Sequence, residues 1–299
     1  MYKKLIALGL LIIGSMVLLS FLGIAIASLF WHEEVSAMLN HTESISNLSN
    51  VSLLKFLQAF SQIGTFILPV ILFLIFTEGN IIKPMKIKLP KRAISAILAI
   101  LLIIAVVPFI NFLLTLNSYL QLPAFMSSIE NWMRTTEDSA AVLTQSFLQV
   151  TDIQGYFVNI FVIALIPAIG EEMLFRGVIQ SILVKNMKNK HLAVWLSAII
   201  FSAIHMQFFG FLPRMVLGLV LGYLFLWSDS LLLSMLAHFS NNAFAVTLAY
   251  LGTIHSIPQE TGDMGSSSSE WLVILISTLI ASALFYLIYK QENIIKTDI

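Results

Sequence analysis

Six polar residues in apolar surroundings have the types and spacing to do chemistry together. Glu171 and Glu172 are adjacent, and Arg176 follows in the run A-I-G-E-E-M-L-F-R-G. His205 ends the stretch W-L-S-A-I-I-F-S-A-I-H, and His238 and Asn242 lie in L-L-L-S-M-L-A-H-F-S-N-N. Glu172 and Arg176 have helical i,i+4 spacing with the acid first, the favourable order for an ion pair. Each lowers the cost of placing the other in a low-dielectric medium. Glu171 lies about 100° round the same helix and is left without a local partner. That makes it the better candidate for a general base. The competing structural role for Glu171 is to cap a half-helix after Pro167 and Gly170. A glutamate, two histidines and an asparagine form a hydrolytic set. Glu171 holds and deprotonates a water, His205 shares it, and His238 and Asn242 donate hydrogen bonds to a developing oxyanion. Zinc also accepts a glutamate, two histidines and a water, so Glu171, His205 and His238 are equally a metal-ligand set. No H-E-x-x-H is present to choose between zinc and no metal, and the cofactor stays open.

The elements that must position these groups are membrane helices. Of 299 residues, 58% are hydrophobic and 11% charged, with mean hydropathy +0.92. A soluble domain carries roughly 25% charged residues. The expected class is all-α, a polytopic membrane protein of about eight transmembrane helices. Ionisable residues at membrane depth are costly and point to function. Net charge is zero and no basic cluster with interleaved aromatics occurs, which argues against a nucleic-acid partner. There is no cysteine, hence no disulfide, thiolate ligand or thiol nucleophile. No glycine-rich phosphate loop and no G-x-S-x-G elbow appears.

In order, apolar runs cover 5–31, 53–76, 93–116, 156–184, 191–209, 211–227, 231–251 and 271–289. The first is too long for the apolar core of a signal peptide. Pro108 is expected to kink the third run, and Pro167 with Gly170 the fourth, which is too long for one straight crossing. Residues 117–155 alternate apolar and charged side chains, as in an amphipathic helix at the interface. The division is 1–116, an N-terminal three-helix membrane region; 117–155, an extracytoplasmic interfacial segment; 156–251, the catalytic helical core; and 252–299, a polar loop and last helix. Eight crossings put both termini on one side. Twelve of sixteen Lys and Arg fall there: Lys3, Lys4, the 83–92 loop, Lys185, Lys188, Lys190, Lys290 and Lys296. The side is cytoplasmic by the positive-inside rule, in a bacterial inner membrane. Asn40, Asn47 and Asn50 begin N-x-[ST] patterns, ordinary in a loop rich in Ser and Asn.

E171-E-M-L-F-R176, F201-S-A-I-H205 and H238-F-S-N-N242 fit E-E-x-x-x-R, F-x-x-x-H and H-x-x-x-N in this order. The ordered triplet resembles the CAAX protease and bacteriocin-processing (CPBP, Abi) family of intramembrane endopeptidases, over about 156–251. The resemblance implies that Glu171 is the base, Glu172 and Arg176 support it, His205 helps place the water, and His238 with Asn242 forms the oxyanion site. The family is labelled metalloprotease, while a metal-free glutamate mechanism is also argued for its prenyl-protein members. The N-terminal sequence is bacterial in style, so the expected partner is a non-prenylated peptide or membrane-protein substrate in the lipid bilayer. Two other readings compete. One is a non-enzymatic transporter or bacteriocin-immunity protein using the cluster, with Lys55, Gln58 and Gln62, as an ion or proton relay. The other is a scaffold with idle motifs. Separations from Glu171 to His205 and His238 within one water's reach discriminate in favour of hydrolysis.

Overall fold

The computed structural model describes residues 1–40, 50–255 and 264–293. His41, Glu43, Asn47, Glu260, Asp263 and Lys296 lie outside the described residues. Among the described residues every regular element is helical. They run α1 (Tyr2–Ala27), α2 (His32–Leu39), α3 (Val51–Gln62), α4 (Leu68–Glu78), α5 (Ile82–Met85) and α6 (Ile94–Ser118), then α7 (Ser127–Leu148), α8 (Ile153–Asn159), α9 (Ile166–Glu172) and α10 (Ser181–Asn186). α11 (Lys190–Ala203), α12 (Phe211–Ser228), α13 (Leu231–His255) and α14 (Trp271–Asn293) complete the chain.

Seven continuous rods are long and apolar enough to cross a membrane: Tyr2–Ala27, Val51–Glu78, Ile94–Ser118, Ile153–Asn186, Phe211–Ser228, Leu231–His255 and Trp271–Asn293. The protein is an all-α integral membrane protein. The remaining apolar run, 191–209, folds differently from its hydropathy. Its helix α11 stops at Ala203 after 14 residues. That is about 21 Å at 1.5 Å per residue, short of a hydrocarbon core of about 30 Å. The chain then turns through 204–210, with Met206 in the left-handed region at φ 53°.

Two long rods contain π-helical turns, Ile63–Ile67 and Ile160–Leu165. Each ends just before a proline, Pro69 and Pro167. A proline inside a helix lacks an N–H and collides with the carbonyl four residues back. The wider π turn relieves this. Leu68 N–H bonds Ile63 O, and Ile166 N–H bonds Phe161 O, each five residues back. The extra length of the 153–186 rod is taken up in this way, together with a third π segment, Met173–Gln180. Pro108 sits within an uninterrupted α6.

Lipid offers no hydrophobic drive between helices, so close packing and polar bonds hold them together. α6 lays Ala99, Leu102, Ile103 and Val106 into the same buried cluster as Ala281 and Ile288 of α14. Ser277 Oγ donates to Ala105 O at 2.7 Å and Ser95 Oγ to Glu292 Oε1 at 2.5 Å between those helices. α9 and the third π segment bury almost every side chain from Ile166 to Gln180 at the centre of the bundle, packed against α13, α11 and α4.

Candidate active site

Glu172 is the best-satisfied group in the core. It is fully buried and accepts from three donors. Arg176 Nη1 is 2.9 Å from Oε1, His238 Nδ1 is 3.0 Å from the same oxygen, and Ser234 Oγ donates to Oε2. The i,i+4 ion pair expected from spacing is therefore present. Arg176 extends the network by donating from Nη2 to Gly218 O at 2.9 Å. Its guanidinium lies over the Phe201 ring at 4.8 Å. Gly218 eases this approach: a Cβ would lie 3.2 Å from Ala198 Cα and from the Phe201 ring, and those neighbours would have to give by a few tenths of an ångström.

Glu171 differs in every respect. Its side chain is 10% exposed and, among the described residues, accepts no direct hydrogen bond. Its Oε2 lies 3.7 Å from His205 Nε2 and 3.8 Å from His238 Nε2. The tautomers follow from the other ring nitrogens. His205 Nδ1 is 2.7 Å from Phe201 O, which can only accept, so Nδ1 carries the hydrogen. His238 Nδ1 donates to the Glu172 carboxylate in the same way. Each ring thus turns its Nε2 towards one oxygen of Glu171. Phe201 spaces them, with its ring edge-on at 5.0 Å from His205 and 6.0 Å from His238.

Both Nε2–Oε2 separations exceed a direct hydrogen bond and suit a bridging water. They also exceed the ligand–ligand edge of a tetrahedral zinc site, about 3.3 Å for bonds of about 2.0–2.1 Å. Among the described residues, no three His, Asp or Glu side chains converge as a metal-binding group. The set fits a shared water better than zinc.

Asn242 sits on α13 one turn beyond His238. Its Nδ2 is 3.4 Å from Ile163 O, in the second π segment, and its Oδ1 accepts from Asn241 Nδ2 at 3.1 Å. No direct hydrogen bond joins it to His238 or Glu171. The 3.4 Å contact is weak, so this amide is held near the site and remains available.

Ser234, Phe201, Gly218 and a clamp from α7 complete the arrangement without having been singled out for a role in the sequence. Ser234 had a signal: it precedes His238 by four residues on the face that also carries Asn242. The clamp had none. Glu137 of α7 takes Phe209 N–H at 2.9 Å, Arg134 stacks on Phe209 at 4.2 Å, and Trp132 packs on Phe208 at 5.4 Å. At the end of α6, Asn117 donates to Phe208 O at 2.9 Å and accepts from Leu212 N at 3.0 Å. The 204–210 turn that carries His205 is thus held from above by residues of the 117–155 segment.

Comparison with known proteins agrees with this part of the chain. YpbD, an uncharacterised protein of Bacillus subtilis (strain 168), is 32% identical over 85 residues, which is 27% of this chain and 40% of that protein. The similarity therefore spans well under half of that relative's length. No solved structure matches the chain. The model of the Rce1-like family matches residues 153–244, which contain Glu171, Glu172, Arg176, His205, His238 and Asn242. This segment is thus similar to the Rce1-like family, described as type II CAAX prenyl endopeptidase.

Proposed function

We propose that the protein is an intramembrane endopeptidase in which Glu171 activates a water for attack on a peptide bond. One observation carries this reading: two imidazole Nε2 atoms lie 3.7 and 3.8 Å from the same Glu171 oxygen, and each ring is fixed through its Nδ1. A water in that space donates one hydrogen to Glu171 Oε2 and the other to an Nε2. As its oxygen bonds to the substrate carbonyl carbon, Glu171 takes the proton. The C–N bond then breaks and Glu171 passes the proton to the leaving amine. Asn242 Nδ2 turns from Ile163 O to the oxyanion. Glu172, held by Arg176 and Ser234, keeps His238 oriented and takes no part in proton transfer.

The substrate in this reading is a peptide or membrane protein that arrives within the bilayer, without need of a prenyl group. The bacterial origin of the relative supports the latter point. The membrane in question is a bacterial inner membrane with both termini cytoplasmic. Lys4–Glu78 at 2.9 Å, Lys88–Asp229 at 2.7 Å and Lys91 Nζ–Glu292 O at 2.5 Å gather the basic loops and both ends of the chain on one face.

The test is cleavage by the protein reconstituted in liposomes. A panel of peptides, with and without a prenylated cysteine, is followed by mass spectrometry. Wild type should cleave a member of the panel, and Glu171→Gln should slow it by roughly 10²–10⁴-fold, the usual worth of a positioned base. Unchanged cleavage by Glu171→Gln sinks the mechanism.

A further inference from the structure

At the end of the bundle away from the His205 turn, a cleft of about 580 Å³ opens between the start of α1, the end of α4 and the last turns of the 153–186 rod. α11 starts at Lys190 on this side, and His205 lies past its other end. Ser181, on the cleft wall, is ten residues beyond Glu171, about 15 Å along a helix. The charges of the cleft are unbalanced. Lys3 and Lys4 of α1 and Lys185 of α10 line it, and Glu78 is the one acid among the described residues that do. Glu78 is taken by Lys4 at 2.9 Å and also feels the charge of Lys185. The ammonium groups of Lys3 and Lys185 make no ion pair within 4 Å and no hydrogen bond among the described residues. Three cations against one acid leave the cleft two positive charges in excess. Its polarity is also graded. Along α4 the lining runs from Phe73 and Leu74 to Glu78, and along the 153–186 rod from Val178 and Ile182 to Lys185. Val178, Ile182 and Lys185 are spaced four and three residues apart, so they share one helical face.

We propose that this cleft binds one anionic glycerophospholipid from the leaflet at the basic end of the bundle, with its phosphate among Lys3, Lys4 and Lys185 and an acyl chain along Val178 and Ile182. The inference does not depend on the endopeptidase reading. Basic pockets between helices at a membrane face suit anionic headgroups. Lysines there lay their apolar stems on the walls and carry the ammonium to headgroup level. Charge selects among lipids. A zwitterionic phospholipid brings a cation that needs an acid, and Glu78 is already held by Lys4. A soluble phosphate would satisfy the lysines but leave the apolar walls unused. A lipid phosphate with its chain attached meets both ends of the gradient.

The experiment titrates the detergent-purified full chain with phosphatidylglycerol or phosphatidylcholine of the same acyl chains and follows bound lipid by native mass spectrometry. Wild type should retain one phosphatidylglycerol with an affinity roughly 25-fold above that for phosphatidylcholine, about fivefold for each excess lysine charge. Lys185→Gln should lower that preference about fivefold. Lys3→Gln with Lys185→Gln should abolish it, with thermal unfolding showing that the variants are folded. Lys290→Gln, which removes a lysine outside the cleft, should leave the preference unchanged. Glycerol phosphate, the anion without acyl chains, should not displace the lipid even in large excess. Displacement by it makes the cleft a site for a soluble anion and overturns the proposal. Equal retention of the two lipids by wild type also overturns it, with no variant needed. So does a loss with Lys290→Gln as large as with Lys185→Gln, which would mark general attraction to a positive surface.

Discussion

The separation of the two adjacent glutamates can be tested by taking apart the Glu172–Arg176 pair. Glu172 is fully buried and Arg176 is 1% exposed. Their surroundings are unequal. Glu172 has two donors besides Arg176, namely His238 Nδ1 and Ser234 Oγ. Arg176 has one acceptor besides Glu172, Gly218 O, and its Nε has none among the described residues. Glu172→Gln keeps the shape but leaves a buried cation without its counter-charge, which costs roughly 3–5 kcal/mol. Arg176→Met leaves a carboxylate that still has two donors, and orphans the Gly218 carbonyl. The expected cost is roughly 1–3 kcal/mol. The double variant removes both charges, so it should be milder than Glu172→Gln alone, with a coupling of at least about 2 kcal/mol. Glu171→Gln should shift stability by less than about 1 kcal/mol while stopping cleavage, because its carboxylate accepts no direct hydrogen bond to lose. Reversible unfolding by SDS titration in mixed micelles measures all four proteins. Additive costs for the pair, or Arg176→Met proving the worse single change, would refute the account of Glu172 as the supported member.

Three further outcomes follow from contacts around the site and at the end of α12. Ser234→Ala removes the only donor to Glu172 Oε2 among the described residues and should lower unfolding free energy by roughly 1.5–3 kcal/mol. It should leave cleavage within about tenfold of wild type, since His238 and Arg176 bind the other oxygen. Asn117→Ala leaves Phe208 O and Leu212 N–H without partners and loosens the His205 turn. Steady-state kinetics should show kcat reduced with KM unchanged. Burial opposes ionisation of Asp229, but hydrogen bonds and charge from Lys86 and Lys88 prevail and hold its carboxyl below the usual 3.8. A lowered folded-state value means that its stabilisation is complete above the unfolded value and is lost as pH falls through the folded one. Asp229→Asn should therefore cost stability at pH 7, by less than about 1 kcal/mol because the pair is partly exposed. The deficit against wild type should shrink below pH 4, as followed by melting curves across pH.

What was legible in the sequence divides by the range of the interaction. The long spans are readable because hydropathy integrates over a whole rod. The Glu172–Arg176 pair is readable because its partners lie one turn apart. The end of α11 is not, because Ile204, Met206, Phe208 and Phe209 are as apolar as the helix before them; apolar character does not distinguish a spanning helix from a turn. The two prolines did mark the irregular turns, but not their kind. A kink and a π turn relieve the same clash, and the choice depends on what packs alongside. Ser234 is hidden by its neighbours' habits. Ser240 and Thr247 on the same helix bond their own carbonyls four residues back, as hydroxyls in apolar helices do. What distinguishes Ser234 is the approach of Glu172 and of the Leu221 carbonyl from other helices. Glu137 meets Phe209 across 72 residues of chain, with no local pattern to announce it. The same logic explains why two adjacent glutamates part in role. One residue's rotation on the helix carries Glu172 into a nest of three donors and leaves Glu171 facing two imidazole Nε2 atoms. A carboxylate whose oxygens are already occupied is a poor place for an arriving proton, and in the proposed mechanism the unoccupied one beside it serves as the base.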